Sequence, residues 1–195
     1  MMKYKIIENY LDDLIPNPVC ELDYNSDYTL LISIVLSAQT TDKRVNQVTK
    51  VLFSKYPTLK ELAEANDEDI KEIIKPIGNF NKKCEYIKDI ATKLHYEYNN
   101  EVPLDEDILI TFKGVGRKTI NVFLSEYKQI PRIAVDTHVA RVSKRLGLCD
   151  EEDNPLIIEK KLASNFKEKD YSRRHLQMVL FGRYYCKAMK PSCDN

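Results

Sequence analysis

Two residues eighteen positions apart carry the chemistry this chain could do: Lys118 and Asp136. An amine and a carboxylate together permit covalent catalysis, with the amine as nucleophile and the carboxylate as partner for developing positive charge and for protons. Lys118 follows directly on Gly114-Val115-Gly116-Arg117. Glycines on both sides of Val115 let the backbone approach an anion with no Cβ in the way. A helix beginning at this point offers unpaired N–H groups to that anion. The helix start and neighbouring Arg117 both set positive charge beside the Lys118 amine. Plainer readings stand beside each of these: a tight helix–helix connection, a phosphate-binding lysine, and an aspartate that caps the helix after it.

The elements that must position these residues read as helices. Apolar residues recur at helical spacing, and no run looks like a partner strand. Tyr4 to Ile15 puts Ile7, Tyr10, Leu11 and Leu14 on one face. Thr29 to Ala38 is nearly all apolar and reads as a buried central helix. Thr41-Asp42 caps a helix with Val45, Val48, Leu52 and Phe53 inward, and Thr58 to Glu61 has capping-box spacing. Asn66 to Lys75 and Asn81 to Tyr98 are further helices, the second with Tyr86, Ile87, Ile90, Ala91, Leu94 and Tyr98 inward. Asp105 opens a short helix that leads to the glycine turn. After the turn, Ile120, Phe123, Leu124 and Tyr127 share a face. Val139, Val142 and Leu146 pack in the helix after Asp136, and Gly147 closes it. Helices from Asn154-Pro155 and from Ser172 complete an all-α chain of about ten helices. Short helix, Gly-x-Gly turn and second helix form the pattern of a helix-hairpin-helix DNA-binding motif.

Thirty basic and thirty acidic residues cancel, which argues against a generic polyanion binder. Basic residues nevertheless gather at Lys43-Arg44, at Lys113 with Arg117-Lys118, at Arg141 with Lys144-Arg145 and at Arg173-Arg174. The first fifteen residues are charged and amphipathic, unlike a secretory leader, and no apolar run approaches a membrane span. A cytoplasmic protein is expected, nucleoid-associated if bacterial, without disulfides among its five cysteines.

Phe112-Lys-Gly-Val-Gly-Arg-Lys118-Thr, Ala134-Val-Asp136-Thr-His-Val-Ala-Arg141-Val and Leu36-Ser-Ala-Gln39-Thr-Thr-Asp42 resemble the endonuclease III family of DNA glycosylases, in order and in spacing. The resemblance runs from about residue 28 to the C-terminus. It implies a two-domain helix-hairpin-helix glycosylase fold. Residues 21–130 would form a central six-helix barrel that carries the hairpin. Residues 1–20 with 131–195 would form a second helical domain of iron–sulfur type, with DNA in the cleft between the two.

The implied activity is base-excision repair of oxidised pyrimidines. Lys118 would attack the sugar C1′ of a flipped nucleotide, Asp136 would stabilise the developing charge, and the Schiff base would permit β-elimination. Lys113, Gly114, Val115, Gly116 and Arg117 would hold the phosphate backbone. Gln39 would fill the hole left by the flipped base. Asn79 stands where the family offers a bulky wedge, with Phe80 next, and Phe112-Lys113 replaces the family's Leu-Pro. The partner is damaged double-stranded DNA, with no membrane, and the protein is expected to act as a monomer.

The family also carries a 4Fe-4S cluster on four cysteines near its C-terminus. Cys186 and Cys193 have the separation of the first two, and the chain ends at Asn195, one residue before a third would fall. The cluster is thus expected to be incomplete or absent within these residues, with truncation of a longer chain the favoured explanation. A glycosylase for another damaged or mismatched base, and a non-catalytic hairpin module, are the alternatives.

Overall fold

The structure, a computed structural model, describes residues 2–192. Eleven α-helices and two short 3-10 turns account for the regular structure among the described residues, with no strand. The chain divides into two compact units. One is Glu21–Phe123; the other joins Met1–Cys20 to Leu124–Asn195.

The first unit holds α2 (Asp27–Leu36), α3 (Asp42–Lys55), α4 (Leu59–Glu64), α5 (Asp67–Ile74), α6 (Phe80–Tyr96), α7 (Glu106–Leu109) and the start of α8 (Arg117–Tyr127). α2 is the apolar centre: every residue from Thr29 to Leu36 is buried. A helix buried on all sides cannot be amphipathic, which explains the unbroken apolar run. Its start is fixed by a capping box between Ser26 and Thr29. α6 packs against α2, α4 and α5 and buries Ile87, Ile90, Ala91 and Leu94 on one stripe. Each large aliphatic side chain so buried contributes about 1.5–3 kcal/mol. Thr58 and Glu61 do form the reciprocal capping box that their spacing predicts.

α6 stops at Tyr96, short of the expected Tyr98. Asn99 and Asn100 take left-handed conformations (φ 50° and 63°), and the Asn100 amide donates to the Leu94 carbonyl at 2.8 Å. That is the turn-back by which a left-handed residue ends a helix, and asparagine tolerates it.

The second unit contains α1 (Met2–Leu14), the end of α8, α9 (Thr137–Arg145), α10 (Pro155–Asn165) and α11 (Tyr171–Tyr184). Its core comprises Leu11, Ile133, Val139, Val142, Leu148, Ile158, Leu162, Phe166 and Met178. α11 packs closely on α9 because Gly182 has no side chain: a Cβ there would lie 2.9 Å from the His138 Cβ. Asp12 on α1 receives Arg174 through two nitrogens at 2.7 and 2.9 Å, and also Arg173 and Gln177. Several expected core positions sit nearer the surface, Tyr10 of α1 among them, which is exposed. Phe53 and Leu146 are half-buried, and Tyr127, the last residue of α8, is exposed.

Candidate active site

The hairpin runs from α7 to α8 through Phe112-Lys113-Gly114-Val115-Gly116. Phe112 and Val115 are buried and anchor the turn from within. The two glycines have different reasons to be glycine. Gly114 has φ +79°, a region that side-chain-bearing residues rarely adopt, and a Cβ on it would lie 2.5 Å from the Tyr86 ring. Gly116 has an ordinary φ and open space where its Cβ would stand. The fold requires Gly114; at Gly116 the missing side chain leaves room for something outside the protein.

α6 supports the turn from below. The Lys113 amide donates to the Asp89 carboxylate at 2.9 Å. Asp89 pairs with Lys93 at 3.1 Å, and the Lys93 ammonium donates to the Thr111 carbonyl at 2.9 Å, 5.3 Å from the Phe112 ring centroid. The Lys113 side chain itself points to solvent. In the family's pattern a proline would stand at position 113 and offer no N–H, so the bond to Asp89 depends on a residue other than proline being there.

Lys118 is the second residue of α8 and is exposed, as is Arg117 before it. Asp136 is the N-cap of α9: its Oδ1 accepts the Val139 amide at 2.7 Å, and its extended backbone (φ −95°, ψ −174°) is that of a cap residue. The cap fixes the carboxylate's direction and occupies one of its two oxygens. Lys118 lies in the Glu21–Phe123 unit and Asp136 in the other.

Gln39 and Asn79 stand on two loops of the first unit, both exposed and both left-handed, with φ 59° and 50°. Holding a residue other than glycine there costs roughly 1–2 kcal/mol, and asparagine bears it better than the β-branched or bulky alternatives. A side chain not expected from the sequence joins the two loops. Lys83 is buried, 3% exposed, and its ammonium donates to the Ala38 carbonyl at 2.9 Å and to the Ile77 carbonyl at 3.1 Å. Burial pushes its pKa down. The sequence held a signal for it: Lys83 falls four residues before Ile87, in register with the apolar stripe of α6. Asp89 and Lys93 gave none, since an i,i+4 ion pair on a helix is the ordinary surface pattern.

On the second unit, Arg141 donates to the carbonyls of Gly182 (2.7 Å) and Cys186 (3.0 Å), and Arg145 lies 3.4 Å from the Cys186 sulfur. Cys193 lies outside the described residues. Among the described residues no group of three or more histidine, cysteine or acidic side chains is placed to hold a metal.

An all-helical chain with a glycine hairpin leading into a lysine-bearing helix is the architecture of a base-excision DNA repair protein. The model of the HhH-GPD superfamily of base excision DNA repair proteins matches residues 32–168. Endonuclease III of Bacillus subtilis is 42% identical over 99% of this chain and 90% of its own length. Endonuclease III of Rickettsia felis is 45% identical over 92% of this chain and 84% of its own. A solved non-covalent complex of endonuclease III with DNA superposes with a TM-score of 0.94 at 42% identity, over 99% of this chain and 91% of that one. A trapped covalent intermediate of endonuclease III with DNA gives 0.93.

The chain belongs to the endonuclease III family of that superfamily. It is a DNA glycosylase and apurinic/apyrimidinic-site lyase of base-excision repair. Among the described residues no helix is long and apolar enough to cross a membrane.

Proposed function

We propose that the chain excises oxidised pyrimidines from damaged duplex DNA with Lys118 as nucleophile and Asp136 as its carboxylate partner. One observation carries this reading: an exposed lysine in the first turn of α8, directly after a hairpin whose Gly116 leaves open space for an external group. The hairpin's amides and the Lys113 and Arg117 side chains would grip the backbone. The base would be flipped out, because C1′ cannot be reached inside the stack. The Lys118 amine then forms a bond to C1′ as the C1′–base bond breaks, and the base departs with that electron pair and takes up a proton. Asp136 stabilises the positive charge on the sugar. The bound amine loses a proton, the C1′–O4′ bond breaks as O4′ takes one up, and the Schiff base so formed acidifies the C2′ proton, whose loss expels the 3′ phosphate. Gln39 would occupy the emptied position in the stack, with Asn79 as a further DNA contact.

The fold domains follow the same reading: a barrel over residues 21–130 with the hairpin at its end, and residues 1–20 with 131–195 as the second domain. The protein would act as a monomer on chromosomal DNA in the cytoplasm. A 4Fe-4S cluster needs four thiolates. Cys186 is one fitting donor and Cys193 a second by sequence. The donor set in these residues does not fit a complete cluster, and no step of the reaction runs through one.

Borohydride trapping on duplex DNA that carries an abasic site or thymine glycol tests the assignment. A covalent adduct is expected with the wild-type chain and none with Lys118→Ala. An undiminished adduct with Lys118→Ala would falsify the nucleophile.

A further inference from the structure

Lys83 is the one lysine that this chain buries on the apolar stripe of α6, and the reaction described above does not use it. Its two acceptors are not neighbours in sequence. Ala38 is the residue before Gln39, in the loop that follows α2. Ile77 ends the 3-10 turn that leads through Gly78 to Asn79. Asn79 (φ 50°) on one loop and Gln39 (φ 59°) on the other hold positive-φ conformations that residues with side chains seldom keep in the free chain. Both carbonyls lie at the C-terminal ends of helical segments, where unpaired carbonyls favour a cation. The backbone of Lys83 adds a third tie, its amide donating to the Asn79 carbonyl at 3.1 Å. One buried ammonium therefore holds two strained turns in a common register, and the side chains that those turns present are both exposed.

We infer that Lys83 is a positioning residue that locks the Gln39 and Asn79 loops together, so that the two side chains enter the duplex as one rigid pair. This rests on the proposed role of Gln39 and Asn79 as DNA contacts. Lys83 touches no substrate; it acts through the two carbonyls. Losing it frees each loop to relax toward ordinary backbone conformations, and separating the damaged base from its partner then requires the loops to be ordered again at the moment of binding. The burden falls on lesions still paired and stacked in duplex, more than on a site that already lacks its base.

Two measurements on the full chain test this. In Lys83→Met, hydrogen exchange of segments 37–41 and 75–79 should quicken by about tenfold, the factor expected when a charge-assisted hydrogen bond is lost. Thymine glycol excision from duplex should fall by a similar factor, and more steeply than abasic-site cleavage. In a Gln39→Ala/Asn79→Ala background the same change should cost less than about twofold in excision, because a residue acting through those side chains has nothing left to position. Unchanged exchange in both segments, or an equal loss of excision in both backgrounds, would overturn the inference. Lys83→Gln, which keeps a polar head in the pocket, carries the same measurements if Lys83→Met does not fold. A wild-type chain that excises no oxidised pyrimidine counts against the function proposed above, and exchange alone then decides the tie between the loops.

Discussion

The Asp136 carboxylate accepts the Val139 amide at 2.7 Å, so the residue proposed for catalysis also begins helix α9. The two tasks separate by substitution. Asp136→Asn keeps an acceptor for the cap and should fold with little change in melting temperature, yet lose most excision. Asp136→Ala should lose the activity and also about 1 kcal/mol of stability, the usual cost of an emptied N-cap. Thermal melts of both variants beside single-turnover assays check this; an Asp136→Asn variant with full activity would remove the carboxylate from the reaction.

The hairpin glycines should divide in the same way. Gly114→Ala must strain a φ of +79° and push against the Tyr86 ring, so it should lower the melting temperature clearly. Gly116→Ala meets no protein atom, so it should fold like the wild type and weaken duplex binding. Melting curves and binding isotherms on the two variants read the two effects apart.

Lys113 offers its side chain to solvent while its amide is held by Asp89. If the ammonium neutralises one phosphate, Lys113→Ala should weaken binding to any duplex sequence and flatten the slope of log affinity against log salt by about 0.9. Titrations at several salt concentrations decide it, and an unchanged slope would place the side chain off the backbone.

Arg174, buried and paired with Asp12, holds that carboxyl well below its ordinary value. A carboxylate held low in the folded state stabilises it at every pH above the unfolded value near 3.8. That contribution fades as pH falls through the acid range toward the folded value. Asp12→Asn should therefore melt lower at pH 7, by roughly 2–4 °C for about 1 kcal/mol, a figure discounted because the carboxylate is partly exposed to screening solvent. The gap to the wild type should narrow below about pH 4.

Much of this architecture was legible before any coordinates. The apolar run of α2, the Thr58–Glu61 box and the Asp136 cap are local features, written in adjacent residues and in spacing. Tyr10 and Tyr127 misled because a periodic pattern does not say where a buried face ends. The support for the site was harder to read. Asp89 and Lys93 look like any surface pair until the hairpin folds onto them, and the Gln39 and Asn79 loops are forty residues apart in sequence. Only the folded chain brings the carbonyls of Ala38 and Ile77 to one amine. Lys83 was visible as an anomaly, a cation in an apolar register, but its partners were not.

Helix α6 carries Lys83, Tyr86, Asp89 and Lys93 at three- and four-residue intervals, and all four meet the loops or the hairpin. From Lys83 to Asp89 the helix rises about 9 Å, against 3.4 Å for each base step of a duplex strand. The separation between the turn proposed to hold phosphate and the loops proposed to probe the base is therefore set by a continuous hydrogen-bonded rod. Such a rod works as a length standard: loops can fluctuate at either end of it, but the ruler against which a distorted duplex would be compared keeps its scale.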